Sequence, residues 1–254
     1  MPYVSVSGRK VYFAHRRPVP AAQPPVFFVH GAGGSHQHWL YQVRDLPEAA
    51  SYAPDLPGHG RSGGGGRNQI PAYGDWLVGL LDELELEQAI LVGHSMGGAI
   101  ALDLALRYPQ RVAGLGLVAT GARLRVAPAL LDALRQEPES GVKMIADWSF
   151  GPEAPQEICR LARRQMNMVA PDVLYGDFVA CDEFDVVGRL DEIEAPAFVL
   201  CGTQDRMTPV KYATFLRDQI EGATLTLAEG AGHMVMLEQP RAVTEALASF
   251  LEST

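Results

Sequence analysis

Short apolar runs alternating with amphipathic helical patterns predict an α/β fold: a mostly parallel sheet of about eight strands with helices on both faces. Three observations carry this expectation. Val26–Val29, Ala89–Val92, Val112–Val118 and Ala197–Cys201 are short runs without charge, as strands buried on both faces of a parallel sheet are. Helical patterns separate them, as in Pro71–Leu86, where Tyr73, Trp76, Leu77, Leu80, Leu81 and Leu84 recur at near-helical spacing. Between Gly121 and Gly188 the rhythm breaks: no strand pattern occurs, and four helical patterns mark an insertion.

Taken in order, Tyr3–Val6 and Val11–Ala14 read as a hairpin about Gly8-Arg9. A proline-rich connection, Arg17–Pro25, leads to Val26–Val29 and the glycine-rich loop His30-Gly31-Ala32-Gly33-Gly34-Ser35. That loop lacks the Gly-Lys-Ser/Thr ending of a phosphate cradle and the spacing of a dinucleotide fingerprint. It suits instead the exposure of backbone N–H groups to an oxyanion. Trp39–Leu46 reads as a short helix, Ser51–Ala53 as a strand, and Pro54–Ser62 as an ordered turn. The insertion holds helical patterns at Ala129–Gln136, Val142–Trp148, Gln156–Met168 and Val173–Phe184. Beyond it follow strand Ala197–Cys201, helix Val210–Gln219, strand Thr224–Leu227 and helix Arg241–Glu252.

A chain of 254 residues suits one sizeable domain, and 47% hydrophobic with 20% charged residues is a globular composition. No apolar run reaches membrane-spanning length, and Met1–Lys10 lacks an apolar signal core. A cytoplasmic enzyme is the expectation. Three scattered cysteines imply neither a disulfide framework nor a metal site. A net charge of −9 argues against nucleic acid and anionic membrane as partners. A homo-oligomer is left open.

The chemistry centres on Gly93-His94-Ser95-Met96-Gly97, which lies between a buried strand and an Ala/Leu-rich helix. This is the setting of a nucleophile elbow, with the serine at a sharp turn and small neighbours beside it. Acyl transfer by serine also needs a base, an acid to orient the base, and donors for the oxyanion. Asp205 in Gly202-Thr203-Gln204-Asp205 and His233 in Gly230-Ala231-Gly232-His233 each follow a strand. Both therefore belong at the carboxyl edge of the sheet, where functional groups gather. The chain order is Ser, Asp, His.

With these motifs, joined by Val29-His30-Gly31 and Asp55-x-x-Gly58-His59-Gly60-x-Ser62, nearly the whole chain resembles the α/β-hydrolase family. The resemblance implies a core over residues 1–121 and 189–254 and a helical cap over 122–188. It implies Ser95, Asp205 and His233 as catalytic groups, and the N–H groups of Ala32 and Met96 as the oxyanion hole. The expected activity is hydrolysis of carboxylic esters of small-molecule substrates with short to medium acyl chains, with no cofactor and no metal. Three other activities fit the fold. One is C–C bond hydrolysis of ring-cleavage products, with Arg123 and Arg125 receiving a dicarboxylate. Another is a perhydrolase side reaction, and the third is ligand binding without catalysis. The apolar cap residues Met144, Trp148, Phe150, Met166 and Met168 favour a neutral acyl group.

Other polar residues have simpler roles. His30 and His59 read as loop-fixing, His94 as packing, and His36 and His38 as pocket wall or surface, since no third metal ligand accompanies them. Asp55 reads as a turn organiser and Asp103 as a residue of a solvated or interhelical face.

Overall fold

The computed structural model describes residues 2–17, 24–46 and 49–253. Most of the proline-rich connection, residues 18–23, lies outside the described residues. Strands β1 (Tyr3–Val6) and β2 (Arg9–Arg16) form an antiparallel hairpin turned at Ser7 and Gly8, both at positive φ. This is the turn geometry that matches strand twist, and it shifts the turn one residue earlier than Gly8-Arg9. Then follow β3 (Val26–Val29), β4 (Ser51–Pro54), β5 (Ala89–His94), β6 (Val112–Val118), β7 (Ala197–Gly202) and β8 (Thr224–Ala228). They form one eight-stranded sheet in the order β1-β2-β4-β3-β5-β6-β7-β8. β2 pairs antiparallel with β4, and all pairings from β4 to β8 are parallel.

The helices are α1 (Leu40–Asp45), α2 (Ile70–Glu83), α3 (Met96–Arg107), α4 (Pro128–Gln136) and α5 (Pro138–Ser149). They continue with α6 (Gln156–Met166), α7 (Pro171–Glu183), α8 (Val210–Gln219), α9 (Val235–Glu238) and α10 (Pro240–Ser253). A 3₁₀ turn, His36–Trp39, leads into α1. α2 stops at Glu83, short of the expected Leu86, because Glu85 takes a positive φ and ends the helical path. None of the described helices is long and apolar enough to cross a membrane.

Strand residues alternate between two cores. Phe27, Leu91, Leu117 and Val199 join α2, α3 and α8 on one face, and Phe28, Val92, Val118 and Leu200 join α1 and α10 on the other. Both faces are covered, which is why the central strands read as unbroken apolar runs. Each fully buried Phe, Leu or Val contributes about 1.5–3 kcal/mol. The helix after β3 packs on one face and the helix after β5 on the other, so the loops leaving these adjacent strands diverge. Such a switch point opens a crevice at the carboxyl edge of the sheet.

Helices α4 to α7 fill the insertion between β6 and β7. Their own core comprises Leu130, Leu134, Val142, Ile145, Leu174 and Phe178, with Ala32 and Met207 of the sheet loops packed against it. A bridge between Arg123 and Asp185 brings the two ends of the insertion together. One expectation fails here: α6 ends at Met166, and Met168 is 79% exposed. Asn167 caps the helix and Pro171 opens the next one, so Met168 falls in the turn between and faces solvent.

Candidate active site

Among residues 89–105 every side chain is buried except that of Ser95, which is half-buried. Ser95 sits at φ 53°, ψ −118°, a region costly for a residue with a Cβ. The surroundings hold it there. Its N–H donates to Val118 O at 3.0 Å, and Thr120 Oγ1 donates to Ser95 O at 2.8 Å. Two glycines allow the turn: a Cβ on Gly93 would lie 2.1 Å from Gly97 O, and one on Gly97 would lie 2.2 Å from Val29 O. Met96 opens α3, so its N–H belongs to the first turn, whose donors lack intrahelical acceptors.

The loop after β3 lies directly against this elbow. A Cβ on Gly31 would sit 2.9 Å from His94 Nδ1 and 3.1 Å from Ser95 Cβ. Gly34 N donates to Gly31 O at 3.0 Å and closes the loop as a turn. The loop that carries Ala32 thus lies against the elbow that carries Met96.

His233 and Asp205 meet at the ends of β8 and β7. His233 Nδ1 is 2.9 Å from Asp205 Oδ2. Asp205 Oδ2 also accepts from Thr208 Oγ1 at 2.8 Å, while Oδ1 accepts from Met207 N at 2.8 Å and Thr208 N at 2.9 Å. Burial pushes the Asp205 carboxyl up, but the facing His233 and these hydrogen bonds outweigh it and hold the group below its ordinary range. His94, expected only to pack, donates from Nε2 to His233 O at 3.0 Å and so fixes the histidine loop. Burial keeps His94 neutral by lowering its pKa well below the ordinary value. The insertion reaches the same loop through Glu238, whose Oε2 accepts from Gly232 N at 3.0 Å and Gly151 N at 2.9 Å.

Ser95 and His233 line one cavity of about 50 Å³, with Leu124, Arg125, Val126, Phe178, Met207 and Tyr212 among its walls. No direct hydrogen bond joins Ser95 Oγ to His233 among the described residues, a looseness common before substrate binds. A volume of this size holds a water or two. Larger hollows of about 620 and 640 Å³ lie beside Leu86 and Arg111 and beside Ala197 and Thr224. Those residues flank the amino ends of strands, the edge opposite the crevice.

The remaining candidates have structural partners. Asp55 is fully buried and accepts from His36 N at 2.7 Å, His36 Nδ1 at 2.8 Å and Arg61 N at 2.8 Å. Its carboxyl would rise on burial, yet the His36 and Arg61 donors hold it below its ordinary range. His30 accepts from Leu56 N at Nε2 and faces Gly31 O with Nδ1. His38 is buried, which lowers its pKa to about 4, and Asp103 pairs with Arg107 between α2 and α3. No cluster among the described residues could hold a metal ion. Asp55→Asn keeps one acceptor oxygen for the two His36 donors but turns an NH₂ on Arg61 N, a loss of about 1–3 kcal/mol. The melting temperature should fall by roughly 2–12 °C, with residual activity per folded molecule preserved; thermal unfolding checks this.

Asp177 on α7 escaped the sequence reading. It is fully buried and accepts from Gly33 N at 2.9 Å, His59 Nε2 at 2.8 Å and Tyr73 Oη at 2.5 Å. Its signal was a charge on the apolar stripe Leu174, Asp177, Phe178, Cys181 of one helix face. His59 Nδ1 faces Pro57 O at 3.0 Å, so both ring nitrogens meet acceptors. Burial opposes a charge on this ring, but Asp177 outweighs it and raises the His59 pKa.

Comparison with known proteins accords with this fold. The chain is 34% identical to a thermophilic esterase of known structure, with a TM-score of 0.87, covering 99% of this chain and 96% of that one. It is 28% identical over 252 residues to a pimeloyl-[acyl-carrier protein] methyl ester esterase of Neisseria meningitidis, covering 93% of this chain and 97% of the relative. It is 33% identical over 245 residues to the dihydrolipoyllysine-residue acetyltransferase component of an acetoin cleaving system from Pseudomonas putida. That match covers 89% of this chain but only 63% of the longer relative. The profile of the Alpha/beta hydrolase family matches residues 26–246. The chain belongs to the alpha/beta hydrolase family.

Proposed function

We propose that this protein is a serine hydrolase that cleaves carboxylic esters of short to medium acyl chain through an acyl-enzyme on Ser95. The observation that carries this reading is the convergence of Ser95 and His233 on one cavity, with His233 hydrogen-bonded to buried Asp205. In this reading Ser95 Oγ attacks the ester carbonyl while His233 Nε2 takes its proton. The tetrahedral oxyanion is met by the N–H groups of Ala32 and Met96. His233 then protonates the departing alkoxide, and a water activated by the same nitrogen releases the acid. Asp205 keeps the proton on Nδ1 and stabilises the imidazolium. Two similar proteins carry esterase names, which supports an ester as the substrate.

The dicarboxylate reading is less favoured. Arg125, the cation on the cavity wall, donates to Asp182 O at 2.7 Å and lies 3.9 Å from Asp185 Oδ2. Arg123 lies 3.6 Å from the same carboxylate. These arginines already face an anion.

Residues 122–188 act in this reading as a cap whose Phe178 and Val126 bound the acyl group. The small cavity favours short chains. Across p-nitrophenyl esters kcat/KM should rise from acetate by about fourfold per methylene that finds apolar wall (about 0.8 kcal/mol), then fall for long fatty acyls. Phe178→Ala should move the optimum to longer chains while acetate is still turned over. A Phe178→Ala profile lowered by one common factor across the panel would contradict the cap assignment.

A further inference from the structure

The same face of α7 that bounds the cavity also holds the loop expected to supply an oxyanion donor. Phe178 and Cys181 line the cavity, and one turn earlier Leu174 and Asp177 lie on Gly33. A Cβ on Gly33 would meet Leu174 Cδ1 at 2.6 Å and Met166 Cγ at 3.2 Å, and Gly33 itself takes φ +64°. Its N–H is held by the Asp177 carboxylate at 2.9 Å. The same carboxylate is anchored from below by His59 and Tyr73, which belong to the sheet side of the molecule. The Gly33 and Ala32 N–H groups belong to consecutive planar peptides joined at the Ala32 Cα, so with the first held, the second can be aimed only through the restricted φ and ψ of Ala32. The Gly34 N to Gly31 O bond closes the loop from the other end.

A cavity of about 50 Å³ is far smaller than sites that enclose small ligands, about 300–1,000 Å³. A substrate that outgrows this volume displaces part of its lining, and α7 is one of the walls. We propose that Asp177 is a positioning residue that makes the oxyanion donor of Ala32 conditional on a seated α7. The donor is aimed when Asp177 grips Gly33 N–H and drifts when α7 lifts. Chemistry is thereby confined to the state with α7 seated. This inference rests on the serine hydrolase reading above.

The test compares Asp177→Ala, which takes the acceptor away from Gly33 N–H, with Leu247→Ala, which loosens the core on the other face of the sheet, away from α7 and the loop. Each is assayed with p-nitrophenyl butyrate, and for binding of an aryl trifluoromethyl ketone that forms an oxyanion on Ser95. Asp177→Ala should lower kcat by about 10- to 100-fold, somewhat less than loss of a whole oxyanion donor. KM should stay within about threefold, as for an interaction made only in the transition state. The trifluoromethyl ketone should weaken by the same factor as kcat/KM, and Leu247→Ala should lower the melting temperature while keeping kcat. If Asp177→Ala does not fold, Leu174→Ala removes the same helix face from Gly33 and should show a lower kcat at unchanged KM. The proposal is overturned if the folded variant of this pair tracks Leu247→Ala in kcat, or keeps wild-type affinity for the ketone. If wild type itself turns over no ester, the hydrolase reading fails and this one falls with it. Turnover by wild type with no separation between the variants removes the Asp177 assignment alone.

Discussion

Ser95→Ala should fold with a melting temperature close to wild type and lose ester turnover by about 10⁵- to 10⁶-fold, since members of a catalytic triad act as a unit. The fold is expected to survive because the hydrogen bonds that fix this position are backbone ones, Ser95 N to Val118 O and Ser95 O from Thr120 Oγ1. The side chain makes no hydrogen bond among the described residues, so its removal leaves no buried group unpaired. Alanine carries the same Cβ as serine into φ 53°, so the strain is unchanged. The loss is then chemical. Burst and steady-state release of p-nitrophenol measure it, and retention of more than a few per cent of turnover in protein free of wild type would place the nucleophile elsewhere.

Asp205→Asn should lower kcat by about 10⁴-fold, the size associated with the wrong imidazole tautomer. Oδ1 is occupied by two backbone donors, Met207 N and Thr208 N, so the amide is oriented with its oxygen there. Its NH₂ then faces His233 Nδ1 and Thr208 Oγ1 in place of an acceptor. His233 responds by presenting a lone pair at Nδ1, which moves its proton to Nε2 and removes the base from the side facing Ser95. Some stability is lost as well, about 1–3 kcal/mol for the mismatched buried donor. Kinetics on protein held well below its melting temperature separate the two effects. A kcat within about tenfold of wild type would contradict the assignment of Asp205 as the orienting acid.

The residues that announce themselves in the sequence do so because their constraints are local. Gly93 and Gly97 are required within a few bonds of Ser95, and the switch from apolar run to Ala-rich helix marks the elbow without tertiary knowledge. Asp205 and His233 were legible because each directly follows a strand, and parallel strands bring their carboxyl ends to one edge. Asp55 was legible for the same reason, since its prolines and glycines mark a turn with short-range partners such as Arg61.

The unread features are long-range. Asp177 finds Gly33 across 144 positions and His59 across 118, and no local pattern pairs them. His94 reaches His233 O across 139 positions, so it read as packing. Met168 was assigned to an apolar wall by composition, but one residue beyond a helix cap faces outward. The size of the cavity was equally hidden, because it depends on how closely α7 lies on the sheet loops and not on which residues line it.

The central claim is a covalent acyl group on Ser95 in an enzyme that turns over. Rapid mixing with p-nitrophenyl butyrate, acid quench and peptide mass spectrometry test it most directly. The account predicts one butyryl group on the peptide containing Ser95, appearing with the burst of p-nitrophenol, and absent in Ser95→Ala. A butyryl group on any other residue at the burst rate, or undiminished turnover with no acylated peptide in Ser95→Ala, would contradict it.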